Sequence, residues 1–278
     1  MRRASVFWAL VLIAIGLLLL LGNLGVFDLI LAQLGLTGVS MWGLVGPLLL
    51  ILIGLWFLWG MLFGRPPRGT EEVTIPLAGA TQAHIRIRHG AGRLRIGAAE
   101  SSEALLSGTF GGGLDHHTTR DGDRLDVTMR VPTDSLVSLT LPWAWGPHSP
   151  RDWSFDLHTG IPLSLDLETG ASESRLELSD LHVTDLRLQT GASATELTLP
   201  AHAGHSRVKI GAGAASVRVR VPDGVAAQIA VDSGLAGISI NRQRFPREGR
   251  GYRSPDYDTA THRVDIDIEA GVGSVEVR

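Results

Sequence analysis

A transmembrane α-helical hairpin followed by an all-β domain of stacked strand-turn-strand repeats is the fold class that this 278-residue sequence predicts. Three features point to it. Two long stretches without a charged side chain open the chain. Alternation of apolar and polar residues with period two dominates the remainder. A Gly/Ala/Ser turn then recurs at nearly constant spacing, at Gly170, Gly191, Gly211 and Gly234. A period of roughly 20 residues is the mark of stacked units, each burying its apolar face only against its neighbours. An antiparallel β-meander or sandwich is the alternative, since it shares the alternation. Recurrence of the turn chemistry at one interval favours a β-solenoid-like stack.

Residues 1–64 carry only Arg2, Arg3 and Asp28 as charges. Val6–Phe27 and Met41–Phe63 are both uncharged throughout. At about 1.5 Å per residue each is long enough to cross a hydrocarbon core of about 30 Å as a helix. Trp8, Trp42, Trp56 and Trp59 fall near the ends of the runs, as interfacial aromatic residues do. No small-x-small cleavage site follows the first run, so a retained two-helix hairpin is expected rather than a signal peptide. Gly60 and Gly64 have the spacing of a close helix contact or of a fraying helix end. Arg2 and Arg3 precede the first run, Arg65 and Arg68 follow the second, and the connection between them has no Lys or Arg. The positive-inside rule therefore predicts a two-pass protein with both termini and the β domain in the cytoplasm; an extracytoplasmic β domain is the alternative.

Residues 65–72, with Pro66 and Pro67, read as a stiff linker to a β domain over 73–278. Ile85 and Ile87 alternate with Arg86 and Arg88, and after an HGAG turn Leu94 and Ile96 alternate with Arg93 and Arg95. Those four arginines are either the solvated face of paired strands or a contact for acidic lipid headgroups or an acidic partner. Asp115, His116, His117, Asp121 and Asp123 have the right chemistry for metal ligands, but their spacing fits no known loop, and solvated turn residues are the simpler expectation. Trp143, Trp145 and Trp153 sit in a Pro-rich stretch, either closing one end of the stack or forming a partner or membrane-interface patch.

Regular repeats are expected over 161–240, with Leu163, Leu165 and Leu167 before the Gly170 turn and Leu176 and Leu178 after it. Positive φ is the expected reason for the turn glycines. Residues 241–262 lack periodicity and read as a long surface loop, in which Arg242, Arg244, Arg247 and Arg250 form a basic cluster among Phe245, Tyr252 and Tyr257. Residues 263–278 read as closing strands that supply the last coil and hide a sheet edge.

Composition limits function. From Arg65 onward 23 Lys and Arg face 27 Asp and Glu, a net of −4, which gives no electrostatic reason to bind nucleic acid. The chain has no Cys, so thiolate catalysis and zinc-thiolate sites are excluded. His202 and His205, or Asp115 with His116 and His117, are weak catalytic candidates without a nucleophile or cofactor motif. The expectation is a non-enzyme without cofactor or small-molecule substrate.

The stretch LVLIAIGLLLLLGNLGVFDL, then SMWGLVGPLLLILIGLWFLWG with Trp42, Pro47, Ile53 and Gly54, resembles the transmembrane region of LiaI/LiaF-like envelope-stress proteins. IPLSLDLETGASESRLELSDLHVTDLRLQTGASATELTLP is similar to the toast-rack β domain that accompanies such regions. YDTATHRVDIDIEAGVGSVEV is similar to the ending shared by LiaF-type and adhesin β domains. The Trp-rich insertion departs from a typical LiaF. The resemblance implies a membrane-anchored, non-catalytic interaction protein linked to cell-envelope stress, acting on a membrane-protein partner of the sensor-kinase type. A surface-exposed adhesin-like protein is the alternative.

Overall fold

The computed structural model describes residues 69–99, 103–132 and 151–278, all within the unit that begins at Pro66. The hairpin expected over 1–64, with Gly60 and Gly64, lies outside the described residues, as do Trp143 and Trp145. The predicted fold class is corrected. The described residues form an all-β fold without a helix, so no helix among them is long and apolar enough to cross a membrane. Within most of the strands the buried apolar residues recur at every second position, a period that buries one face of a strand and no face of a helix.

The strands are β1 Thr70–Pro76, β2 Gln82–Ala99, β3 Ala104–Gly111, β4 Asp115–Asp121, β5 Arg124–Arg130, β6 Trp153–His158 and β7 Leu163–Glu177. They continue as β8 Val183–Thr190, β9 Ala194–Thr198, β10 His205–Arg220, β11 Ala226–Ile240, β12 Arg247–Glu248, β13 Gly251–Arg253 and β14 Arg263–Val277. β1 starts within the stretch read as linker, and the Glu71 carboxylate accepts a bond from the Leu114 amide at 3.2 Å.

β2, β7, β8 with β9, β10, β14 and β11 stack in that order, all parallel. Each is a rung of two legs joined at a corner. In β7, Leu163, Leu165, Leu167 and Thr169 are buried before the corner, and Ser172, Ser174 and Leu176 after it. In β10 the sets are Val208, Ile210 and Ala212, then Ala215, Val217 and Val219. The alternation thus slips by one residue at each corner. In a flat strand such a slip would send the second leg's apolar residues to the other face. Combined with a bend, it turns both legs toward the same core, and their apolar residues form one cluster.

Corner glycines make the stacking possible, though for a reason other than the expected positive φ. Gly170, Gly191, Gly213, Gly271 and Gly234 all lie outside that conformation. Each backs onto the carbonyl of the glycine in an adjacent rung. An added Cβ would stand 2.3 Å from the Gly90 oxygen at Gly170, 3.0 Å from the Gly170 oxygen at Gly191, and 3.1 Å from the Gly191 oxygen at Gly213. The column continues with Gly271 against Gly213 at 2.8 Å and Gly234 against Gly271 at 3.1 Å. The same carbonyls accept hydrogen bonds from the next rung: Ala192 N donates to Gly170 O at 3.1 Å, and Ala214 N to Gly191 O at 2.9 Å. Gly213, not Gly211, is the corner glycine of β10; a Cβ on Gly211 would reach only Gln189 Cγ at 4.0 Å.

Within the parallel stack chain order is broken once, which also corrects a simple solenoid. β14 lies between β10 and β11, so the expected last coil is internal and β11 is outermost. β14 has the bulkier alternating face, with Val264, Ile266, Ile268, Val275 and Val277 all at most 2 % exposed. A doubly flanked position removes more of that apolar surface from water. Residues 241–262 are not an open loop either. β12 and β13 form a hairpin whose second strand pairs antiparallel with Gln228 and Ile229 of β11, and Phe245 is fully buried. At the opposite end the pattern becomes partly antiparallel. The first leg of β2 pairs with β5 of the β4–β5 hairpin, while the second pairs with β6, followed by β3 and β1.

Alanine at the corner should therefore grade with clearance. Gly170→Ala is expected to lose about 1–3 kcal/mol or more by overpacking against backbone, and Gly191→Ala less. Gly211→Ala is expected to stay within about 0.5 kcal/mol of wild type or to gain slightly. Urea unfolding of the three variants checks the order.

Candidate interaction surface

With the apolar residues of every rung turned inward, the outward positions become rows of charge that cross the stack. On the first legs Arg86 pairs with Asp166 at 3.3 Å, Arg88 with Glu168 at 3.0 Å, and Lys209 with Asp267 at 3.7 Å. On the second legs a chain runs from Arg175 to Glu196 at 2.8 Å, from Glu196 to Arg218 at 2.7 Å, and from Arg218 to Glu276 at 3.0 Å. The hydrogen bond and charge of Arg175, joined by Arg218, hold the Glu196 carboxyl below the ordinary carboxylate range.

A groove of about 860 Å³ crosses the rungs where the first legs reach the corner. Arg88, Arg130, Glu168, Arg187, Lys209 and Glu269 supply its charged side chains. Arg187 and Lys209 are register neighbours on β8 and β10. Arg187 is exposed and makes no ion pair among the described residues. No three His, Asp or Glu side chains among the described residues are placed to hold a metal ion.

Inside the corner the polar groups satisfy one another. The Thr169 hydroxyl donates to Thr190 Oγ1 at 3.0 Å, Thr190 donates to Ser193, and Ser172 lies 3.2 Å from Ser174. His89 occupies the matching position on β2, across from Thr169. Its Nε2 donates to the Arg151 carbonyl at 3.0 Å, which fixes the tautomer and leaves Nδ1 buried without a partner among the described residues. Burial lowers the His89 pKa, against smaller opposing contributions from the Arg151 carbonyl bond and the Asp152 charge.

Comparison with known proteins is consistent with this architecture. Residues 64–220 match the family model described as the N-terminal domain of toast_rack, DUF2154. The chain belongs to the toast-rack family. The match ends at the last residue of β10, so β11 to β14 lie beyond it. No curated protein matches significantly. Among solved structures, the fold is similar to that of a "putative cell adhesion protein" from Clostridium sporogenes ATCC 15579, with a TM-score of 0.66 and 20% identity over 76% of this chain and 99% of that one.

Within the toast-rack domain the arginine row on β2 is largely committed. Arg86 and Arg88 are in the pairs above, and Arg93 binds Asp152 at 2.6 Å. Arg95 is exposed, sits beside Arg175 in register, and has no ion pair among the described residues. Trp153 is 1 % exposed, which leaves it no surface for a partner. Its indole donates to Gly111 O at 3.2 Å, and its ring packs edge-on to Phe110 at 5.2 Å, closing the core at the β2 end. Arg244 is also structural: it donates to Val221 O at 2.7 Å and Pro222 O at 2.9 Å and lies over Phe245. Arg242, Arg247 and Arg250 are exposed and without ion pairs among the described residues, so of the four arginines only Arg244 is tied to the backbone.

The histidine and aspartate candidates separate in the same way. Asp115 pairs with Arg130 at 2.9 Å, while His116 and His117 are exposed on β4. Asp121 and Asp123 flank the hairpin turn at Gly122. His205 binds Asp265 at 2.9 Å, and His202 packs edge-on to His262, whose Nδ1 accepts the Gly204 amide at 3.2 Å. Asp265 also accepts the Tyr257 hydroxyl; burial, then that bond, pushes the Tyr257 pKa up to about 12. Arg187 and Lys209 were missed by sequence reading. Their outward positions in LRLQT and VKIG were legible, but their adjacency depends on the register between rungs.

Because the folded pKa of His89 lies below the unfolded value, its contribution to stability is complete above about pH 6.5 and is lost as pH falls toward the folded pKa. Protonation would bury a charge and an unpaired N–H. Wild type should lose a few degrees of Tm between about pH 7.5 and pH 5, and His89→Gln should lose less, because its amide can still donate to Arg151. Calorimetry at the two pH values checks this; equal losses would rule His89 out.

Proposed function

We propose that this toast-rack protein is a non-catalytic binding scaffold, tethered to the membrane by its apolar N-terminal segment. In this reading the β domain lies on the cytoplasmic side and acts on a membrane-protein partner of the sensor-kinase type during cell-envelope stress, with lipid headgroups as neighbours. The observation that carries the binding role is the groove across the stack, where Arg187 and Lys209 stand side by side on a rigid, in-register platform. Rigid elements present charge in a fixed pattern, which favours recognition of an acidic protein segment over chemistry. The LiaI/LiaF-like character of the N-terminal segment and its basic flanks support the membrane and cytoplasmic parts of the reading. A second reading, an adhesin-like protein with the domain outside the cell, is favoured by the similarity to the Clostridium sporogenes protein.

Since the chain has no native Cys, one introduced thiol reports the side of the membrane. Thr118→Cys on exposed β4 should resist a membrane-impermeant maleimide in intact cells and react after permeabilisation. Labelling in intact cells would overturn the cytoplasmic reading and support the adhesin-like one. For the groove, a photocrosslinker at Gln189 should capture a membrane protein. Arg187→Gln with Lys209→Gln should reduce that capture about tenfold with little change in Tm, since the Lys209–Asp267 pair is exposed. Unchanged capture would remove the groove from the binding role.

A further inference from the structure

Alternation of charge across the first legs breaks in two places, and both border the groove. From β2 to β11 the charged neighbours in register are otherwise opposite in sign: Arg86 with Asp166, Arg88 with Glu168, Asp166 with Arg187, Asp185 with Arg207, Arg207 with Asp265, and Lys209 with Asp267. The exceptions are Arg187 beside Lys209 and Glu269 beside Asp232. Like charges directly opposite each other on neighbouring strands cost stability. These side chains point outward, so neither the core nor the hydrogen-bond ladder calls for them. Arg187, Glu269 and Asp232 are exposed and without an ion pair among the described residues, and Lys209 reaches Asp267 only at 3.7 Å. A local rule broken without structural gain points to function.

Between the two pairs the surface is open. Gly211 holds the register position between Gln189 and Glu269, and an added Cβ there would find only Gln189 Cγ, at 4.0 Å. Gln189, Gly211 and Glu269 all line the groove. The missing side chain leaves Gln189 and Glu269 two rungs apart, roughly 9–10 Å, with backbone as the floor. The cationic pair stands on β8 and β10, the acidic pair on β14 and β11 one outward position further along the legs. Their centres are therefore separated by two rungs and one pleat repeat, about 12 Å. The two charges of a single lipid headgroup cannot span that distance. About four residues of extended chain can.

We propose that the groove takes a dipolar protein segment, its acidic part on Arg187 and Lys209 and its basic part on Glu269 and Asp232. The inference rests on the groove being the binding site and names the charge pattern of its partner. A uniformly acidic segment lying along the groove would carry its far end against Glu269 and Asp232 and be repelled there. A uniformly basic one would meet the same repulsion at Arg187 and Lys209. A segment with both signs relieves both like-charge contacts at once.

Fluorescence anisotropy on the full chain in non-ionic detergent micelles tests this. The probe is a labelled, capped hexapeptide of two glutamates, two glycines and two arginines, in that order. It should bind about tenfold tighter than the all-acidic version with glutamine in place of arginine. Glu269→Gln with Asp232→Asn should erase that preference and leave Tm unchanged or higher, because a like-charge contact is removed. Gly211→Gln fills the notch at a position with room for a side chain, and should weaken the dipolar peptide about tenfold with little change in Tm. If neither peptide binds, the groove is not a binding site and both readings fall. If the acidic peptide binds as tightly as the dipolar one, or if the doubly neutralised variant keeps the preference, the groove stands as a cation-lined site and the dipolar partner is overturned.

Discussion

Everything in this domain depends on how closely the backbone of one rung approaches that of the next at the corner. A bent parallel strand must keep its hydrogen-bond ladder while it turns, since buried amides and carbonyls left unpaired at the bend would cost stability at every rung. The column of glycines from Gly90 through Gly170, Gly191, Gly213 and Gly271 to Gly234 meets that demand, because the space a Cβ would need holds the neighbouring carbonyl oxygen. Those oxygens are the ones that accept bonds from Ala192 and Ala214. Close approach and continuous hydrogen bonding are thus one constraint.

The one-residue slip at the corner follows from the same bend and decides where chemistry can be displayed. Both legs send their apolar side chains inward, and the hydroxyls of Thr169, Thr190 and Ser193 bond to each other at the turn. Every second residue on either leg is then left outside in a fixed lattice. Charges spaced along a rung align with those of its neighbours, which converts scattered acidic and basic residues into rows such as Arg175, Glu196, Arg218 and Glu276. A surface of this kind suits recognition by pattern. Its rigidity comes from the stack beneath it.

The insertion of β14 gives the stack its asymmetry. Placing β14, whose inward face is bulkier than that of β11, between β10 and β11 buries it on both sides and leaves β11 on the outside. The hairpin of β12 and β13 shields only the start of that outer rung, with Phe245 sealing the core beneath it. One end of the domain is consequently closed by aromatic packing, while at the other no further strand among the described residues lies beside β11 beyond Ile229.

Strand periodicity, the recurrence of glycine turns and the outward placement of the arginines were readable from residue order alone, because each is a local pattern with a period set by backbone geometry. So was the toast-rack resemblance, carried by IPLSLDLETGASESRLELSDLHVTDLRLQTGASATELTLP. Local patterns could not say which glycine of Gly211 and Gly213 forms the corner, since the choice depends on the carbonyl of another rung. Nor could they show that Trp153 is sealed in the core, that Arg244 serves the backbone at Val221, or that Arg187 stands next to Lys209. Order along the chain determined the rungs and their faces. Only the tertiary structure decided which rung lies beside which, because parallel pairing joins residues far apart in sequence through backbone bonds that are the same for every side chain.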